Sequence, residues 1–91
     1  MEVTYITVEE RLRENEYDGV KYLTDFSYDT ALIGVSDDNR AVYDFDKMID
    51  WLMKTQNFTD EEAREWIEIN TIRALPHFGE GAPIIMYPLN D

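Results

Sequence analysis

Apolar residues recur along this chain with two different periods, and the changes of period mark its elements. Phe45, Met48, Ile49, Leu52 and Met53 fall at i, i+3, i+4, i+7 and i+8, the repeat of one face of an amphipathic helix. Asp46 stands at the start of this pattern as an N-cap, and the pattern ends near Gln56-Asn57. Thr59-Asp60-Glu61-Glu62 then has capping-box spacing, a hydroxyl followed three residues later by a carboxylate. Phe58 is placed to staple against Ala63. Ala63, Trp66, Ile67 and Asn70 continue at helical spacing, Ile69 and Ile72 widen the face, and Pro76 is expected to stop the helix. So short a connection predicts an antiparallel helix pair.

Upstream the period shortens. Residues 30–35 and 41–45 are short apolar runs with branched side chains, separated by the turn formers Ser36-Asp37-Asp38-Asn39-Arg40; they predict a β-hairpin. Gly34, inside the first run, suggests a bulge or a close backbone approach. Residues 84–87 are a strongly apolar run bracketed by Pro83 and Pro88, expected to join the hairpin sheet at an edge. At the other end, Thr7-Val8-Glu9-Glu10 has capping-box spacing and predicts a helix to about Asn15, with Val8 and Leu12 on its inner face. Asp18-Gly19 is a turn, and residues 20–23 form a candidate short strand. These elements predict an α+β fold in a single domain, residues 1–91: a small antiparallel sheet (hairpin plus C-terminal strand) packed against two or three helices.

Composition narrows the chemistry. The 91 residues are 44% hydrophobic and 13% aromatic, enough for a core. The absence of cysteine excludes disulfides, thiolate nucleophiles and cysteine-ligated metal sites. Residues 1–5 lack the basic region and apolar run of a secretory leader, and no run approaches the roughly 20 apolar residues that span a bilayer. The expected place is the cytoplasm. Twenty acids against eight bases give a net charge of −12. Direct nucleic-acid binding and attraction to an anionic membrane are therefore disfavoured, and a basic protein partner is favoured.

No catalytic, cofactor or metal residue is assigned. His77 is the single histidine, and its sequence neighbours supply no nucleophile. Asp37-Asp38-Asn39 opens like a calcium loop, but Val42 stands at the sixth position and Met48 at the twelfth. Asp44 and Asp46 form one carboxylate pair, too little to define a magnesium site. Gly79-Glu80-Gly81 lacks the third glycine of a phosphate-binding loop and reads as a turn.

The acidic residues are the better candidates. Glu61, Glu65 and Glu68 fall at i, i+4 and i+7 and should line one exposed stripe. Carboxylates one helical turn apart are about 5–6 Å from one another, a spacing that resembles successive phosphates on a nucleic-acid strand. Glu9, Glu10, Glu14, Asp25 and Asp29 add acids in the N-terminal half. Aromatic residues, among them Tyr5, Tyr17, Tyr22, Phe26, Tyr43 and Tyr87, exceed what a small core obviously needs, and Tyr28 and Trp51 are candidate interface anchors. The expected function is binding to a basic protein, such as a nucleic-acid-binding enzyme, through these residues. The alternatives are a module that self-associates, as a homodimer, through residues 84–87, and a small carboxylate or magnesium enzyme at Asp44 and Asp46.

Four segments also carry a resemblance: Arg40-Ala41-Val42-Tyr43-Asp44-Phe45-Asp46-Lys47-Met48, Glu61-Glu62-Ala63, Asn70-Thr71-Ile72-Arg73-Ala74-Leu75-Pro76 and Ala82-Pro83-Ile84-Ile85-Met86-Tyr87. From Ala31 onward the chain resembles a group of short uncharacterised proteins of bacteria and their phages or mobile elements. That resemblance implies no catalytic residue. In size and acidity the chain is also similar to anti-CRISPR and anti-restriction proteins, which implies an inhibitor that occupies the basic groove of a host defence enzyme.

Overall fold

A computed structural model describes residues 7–89; Tyr5 lies outside the described residues. Helix α1 (Val8–Glu14) begins where the Glu10 amide donates to Thr7 Oγ1 at 3.1 Å. The Thr7 hydroxyl in turn donates to the Glu10 carboxylate at 3.1 Å, so this carboxylate serves the cap through the side chain. Val8 and Leu12 face the core. After the Asp18-Gly19 turn, residues 20–23 do not form the expected strand. Val20 and Leu23 are buried, but the Leu23 amide donates to the Tyr43 hydroxyl at 3.1 Å. A side chain supplies the partner that a strand ladder would have supplied.

The hairpin forms as β1 (Leu32–Val35) and β2 (Ala41–Asp44). Its first strand begins later than expected, because residues 29–31 close into a 3₁₀ turn. The register steps from Leu32↔Tyr43 to Gly34↔Val42 and so skips one residue. That is the bulge which Gly34 suggested. β3 (Ile84–Met86) pairs with the other side of β2, in the register Val42↔Ile84 to Asp44↔Met86. It joins the hairpin at an edge as expected, but it runs parallel to β2, so the sheet is mixed, in the order β1-β2-β3. A parallel neighbour requires a long crossover, and the helical stretch between β2 and β3 provides it.

Helix α2 (Phe45–Thr55) leaves β2 without a loop. Its N-cap is Asp44, which accepts from the Lys47 amide at 3.1 Å. The expected cap, Asp46, falls inside the first turn, where its charge still suits the helix dipole. The shift follows from Phe45, which is buried as the first helical residue. Met48, Ile49 and Leu52 are buried with it, whereas Met53 is 39% exposed and off the inner face.

Helix α3 (Asp60–Trp66) carries both halves of the capping box. Glu62 N–H donates to Thr59 Oγ1 at 3.1 Å, and Thr59 N–H donates to Glu62 Oε1 at 2.9 Å. Phe58 packs on Trp66, with ring centroids 6.0 Å apart. The helix then widens into a π segment, Ile67–Ile72. Its larger turn keeps buried positions four apart at Ala63, Ile67 and Thr71. Asn70, expected on the apolar face, is therefore exposed, and Thr71 takes its place. Pro76 does not end the helical path either. It sits inside a 3₁₀ turn, Leu75–Phe78, a geometry that tolerates its missing amide near the start.

Candidate interaction surface

The placement of the cations decides the character of the surface. Three of them are spent on backbone carbonyls. Arg11 donates to the Asp29 carbonyl at 2.8 Å and to the Leu32 carbonyl at 3.0 Å, tying α1 to the start of β1. Lys21 Nζ donates to the carbonyls of Phe78 and Glu80 at 2.5 and 2.7 Å. Gly79 and Gly81, both at positive φ, shape the turn that presents these carbonyls. Arg40 Nε donates to the Ala82 carbonyl at 2.7 Å. Arg13 pairs with Glu9 (3.3 Å), Lys54 with Asp50 (2.8 Å), Arg64 with Asp60 (2.7 Å), and Arg40 also approaches Asp38 at 3.8 Å. The Asp60 carboxylate raises the Arg64 pKa, first through the hydrogen bond and then through its charge.

Little positive charge remains for the row on α3. Glu61, Glu65 and Glu68 are all exposed, the first two on regular turns and Glu68 in the π segment. Among the described residues, none of the three pairs with a cation. Glu65 borders a shallow depression of about 200 Å³ lined by Phe58, Trp66 and Ile69 together with Glu62 and Asn70. Ile69, expected to widen the inner face, is 49% exposed here. An exposed apolar floor beside the unpaired Glu65 carboxylate is a combination that the charge pattern alone does not reveal. The sequence signal for it was the phase of Ile69, two residues after Ile67.

The N-terminal acids divide between settings. Glu9, Glu10 and Asp29 come together around a groove of about 680 Å³ between α1 and residues 22–29. Glu9 accepts from the Tyr22 hydroxyl at 3.3 Å. Loss of solvation and then the Glu9 charge raise the Tyr22 pKa. Asp29 Oδ1 is buried and has no hydrogen-bond partner among the described residues. Glu14 is exposed farther along α1. Asp25 belongs elsewhere, because its Oδ2 accepts from Thr71 Oγ1 at 2.5 Å.

The two expected anchors are not free. Tyr28 is fully buried, with left-handed backbone (φ 47°, ψ 43°). Its hydroxyl shares a 3.0 Å hydrogen bond with Thr71 Oγ1. The ring packs against Phe26, Tyr43 and Trp51, at centroid distances of 6.1, 6.4 and 5.3 Å. Trp51 is half-buried on this cluster, 5.7 Å from Phe26. The aromatic surplus is therefore largely core: Tyr43 is also fully buried. The Trp66 indole N–H is buried and has no hydrogen-bond partner among the described residues.

Thr71 is the hub of this polar line. Thr71→Val keeps its shape but strands the Tyr28 hydroxyl in the core. The expected loss of stability is about 1–3 kcal/mol. Urea denaturation of Thr71→Val, Tyr28→Phe and the double variant checks it. Strictly additive losses would mean that the two hydroxyls do not interact.

The remaining candidates have structural roles. Asp44 caps α2, Asp38 meets the Ser36 hydroxyl in the hairpin turn, and His77 is exposed on the 3₁₀ turn. No helix among the described residues is long and apolar enough to cross a membrane. No family model, curated protein or solved structure matches the chain.

Proposed function

We propose that the protein is a small acidic binding protein that occupies the basic groove of a partner, the kind of groove a nucleic-acid-binding enzyme offers its substrate, and catalyses no reaction itself. One observation carries this reading. Six of the eight cations are engaged by carbonyls or neighbouring carboxylates, and among the described residues Glu61, Glu65 and Glu68 pair with no cation, with Glu65 bordering an exposed apolar depression. Uncompensated charge steers an oppositely charged partner, and the apolar floor adds area that stays dry once the partner is seated. The most specific form of the reading is a phage- or mobile-element-encoded inhibitor of a host defence enzyme, of the anti-CRISPR or anti-restriction type. Small size and a charge of −12 support that form.

Affinity capture from a bacterial lysate tests the reading. The immobilised chain is expected to retain a basic nucleic-acid-binding protein at low salt, to release it at high salt, and to compete with that protein's nucleic acid. Glu61→Gln, Glu65→Gln and Glu68→Gln together are expected to weaken capture by more than about tenfold, since charge pairs at an interface are worth upwards of ~1.5 kcal/mol. Retention of no basic protein at low salt would sink the reading.

A further inference from the structure

Among the described residues, one edge of the sheet is open. β3, at the other edge, is confined by Pro83 and Pro88. β1 contains neither a proline nor a charged residue, and those are the devices that usually blunt an edge. All four of its residues line a groove of about 320 Å³ whose far wall is Arg11, Leu12, Asn15 and Tyr17. Ile33 is 43% exposed and Tyr17 38%. A side chain added at Gly34 would meet nothing within 4 Å, so the backbone is accessible there. The Ser36 amide donates to the Arg40 carbonyl at 2.8 Å. Alternation along an antiparallel ladder therefore turns the Val35 N–H and carbonyl away from β2, towards the open edge.

One end of this groove is acidic, because Glu16, Tyr17 and Asp18 share a depression with Asn39 of the hairpin turn. Glu14, Glu16 and Asp18 flank Asn15 and Tyr17 and are exposed, and Asp37 and Asp38 are exposed just beyond Val35. Arg11, the groove's one cation, is already held by two carbonyls. The pattern is a backbone edge with an apolar floor and negative charge gathered at its hairpin-turn end.

We propose that the β1 edge accepts an extended segment of a basic partner as a fourth strand. The segment bonds backbone to backbone at Val35, sets apolar side chains on Ile33 and Tyr17, and reaches the acids at the hairpin-turn end with lysine or arginine. This rests on the basic-partner reading and adds the place and the mode of binding. Main-chain bonds give such strand addition its affinity, and alternate side chains give it specificity. A second copy of the chain is the poorer occupant, because it brings a further −12 to the same edge.

The test titrates the full-length, isotope-labelled chain with an octapeptide of alternating lysine and valine, followed by amide NMR. The expected result is shifts centred on residues 33–35. Methylating the peptide amides on its ladder-facing side is expected to weaken binding about tenfold or more, because strand addition depends on those donors. A glutamate–valine octapeptide is expected not to bind. Val35→Pro removes the outward amide and leaves the inward ladder intact, so it should match the effect of peptide methylation. Shifts confined to α3, with the methylated and unmethylated peptides equal, would overturn the edge proposal and leave the basic-partner reading standing. No binding by the lysine peptide would also overturn it, with the lysate capture then judging the basic-partner reading independently. Shifts at residues 33–35 that grow with protein concentration alone would overturn it in favour of self-pairing.

Discussion

Between about pH 10 and about pH 12 the fold is expected to lose roughly 3 kcal/mol or more of stability, with two buried tyrosines as the cause. Burial pushes the Tyr43 hydroxyl up to about 12, with the bond from the Leu23 amide acting the other way and Asp25 and Asp29 adding to the rise. Burial raises Tyr28 further still; its bond to Thr71 opposes the shift and the nearby Asp25 charge supports it. In the unfolded chain both lose their protons near pH 10. The folded state keeps them, so above that pH it binds more protons than the unfolded state, and stability falls as pH rises. The contribution is fully present below about pH 10. Two pH units correspond to about 2.7 kcal/mol for Tyr43 alone, and Tyr28 adds a loss of the same sign.

Against a total stability of about 5–15 kcal/mol, this loss removes from about a fifth to more than half of the total. Circular dichroism melts at about pH 8 and about pH 11 would show it, together with tyrosinate absorbance. The exposed tyrosines should ionise first, and the buried pair only as the helical signal disappears. Ionisation of all tyrosines near pH 10 with the helical signal intact would refute the burial of Tyr28 and Tyr43.

Leu52→Ala is the other large effect. Leu52 is fully buried on the inner face of α2, alongside Met48 and Ile49. Losing its side chain costs transfer free energy and leaves a cavity, together about 2–5 kcal/mol. For a domain of this size that is on the order of 15 °C in melting temperature. Met53→Ala is the control, expected to cost less than about 1 kcal/mol because Met53 is 39% exposed. The hydrophobic repeat alone put both residues on one face, so the contrast measures where that face ends. Equal losses would mean that α2 is rotated from the orientation described here.

Much of the local structure was legible from spacing. The capping box at Thr59, the hairpin with its bulge at Gly34, the inner face of α2 up to Leu52 and the exposure of Glu61, Glu65 and Glu68 all follow from periods of two and 3.6 and from turn chemistry. The errors share a different origin. Asp46 does not cap α2, because Phe45 is buried as the first helical residue and leaves the cap position to Asp44. Residues 20–23 had strand composition but found a tyrosine hydroxyl as their hydrogen-bond partner. Asn70 had the correct α-helical phase, yet the π segment carried Thr71 inward instead.

The surface was legible only in part. Net charge is a count and needs no fold. Which carboxylates remain uncompensated depends on where eight cations go, and Arg11, Lys21 and Arg40 go to carbonyls far along the chain. Tyr28 likewise looked like a spare aromatic, since its hydroxyl partner is 43 residues away.

The chain's own pattern settles most of its elements, the caps at Thr7 and Thr59, its acidity and its lack of thiol chemistry, because each depends on neighbours within about four residues or on composition alone. Folding settles the parallel direction of β3, the burial of Tyr28 in a left-handed backbone, the inward turn of Thr71 and the open β1 edge. Each of these is a contact between residues remote in sequence. Packing and the need to satisfy buried polar groups choose such contacts, and no local period records them.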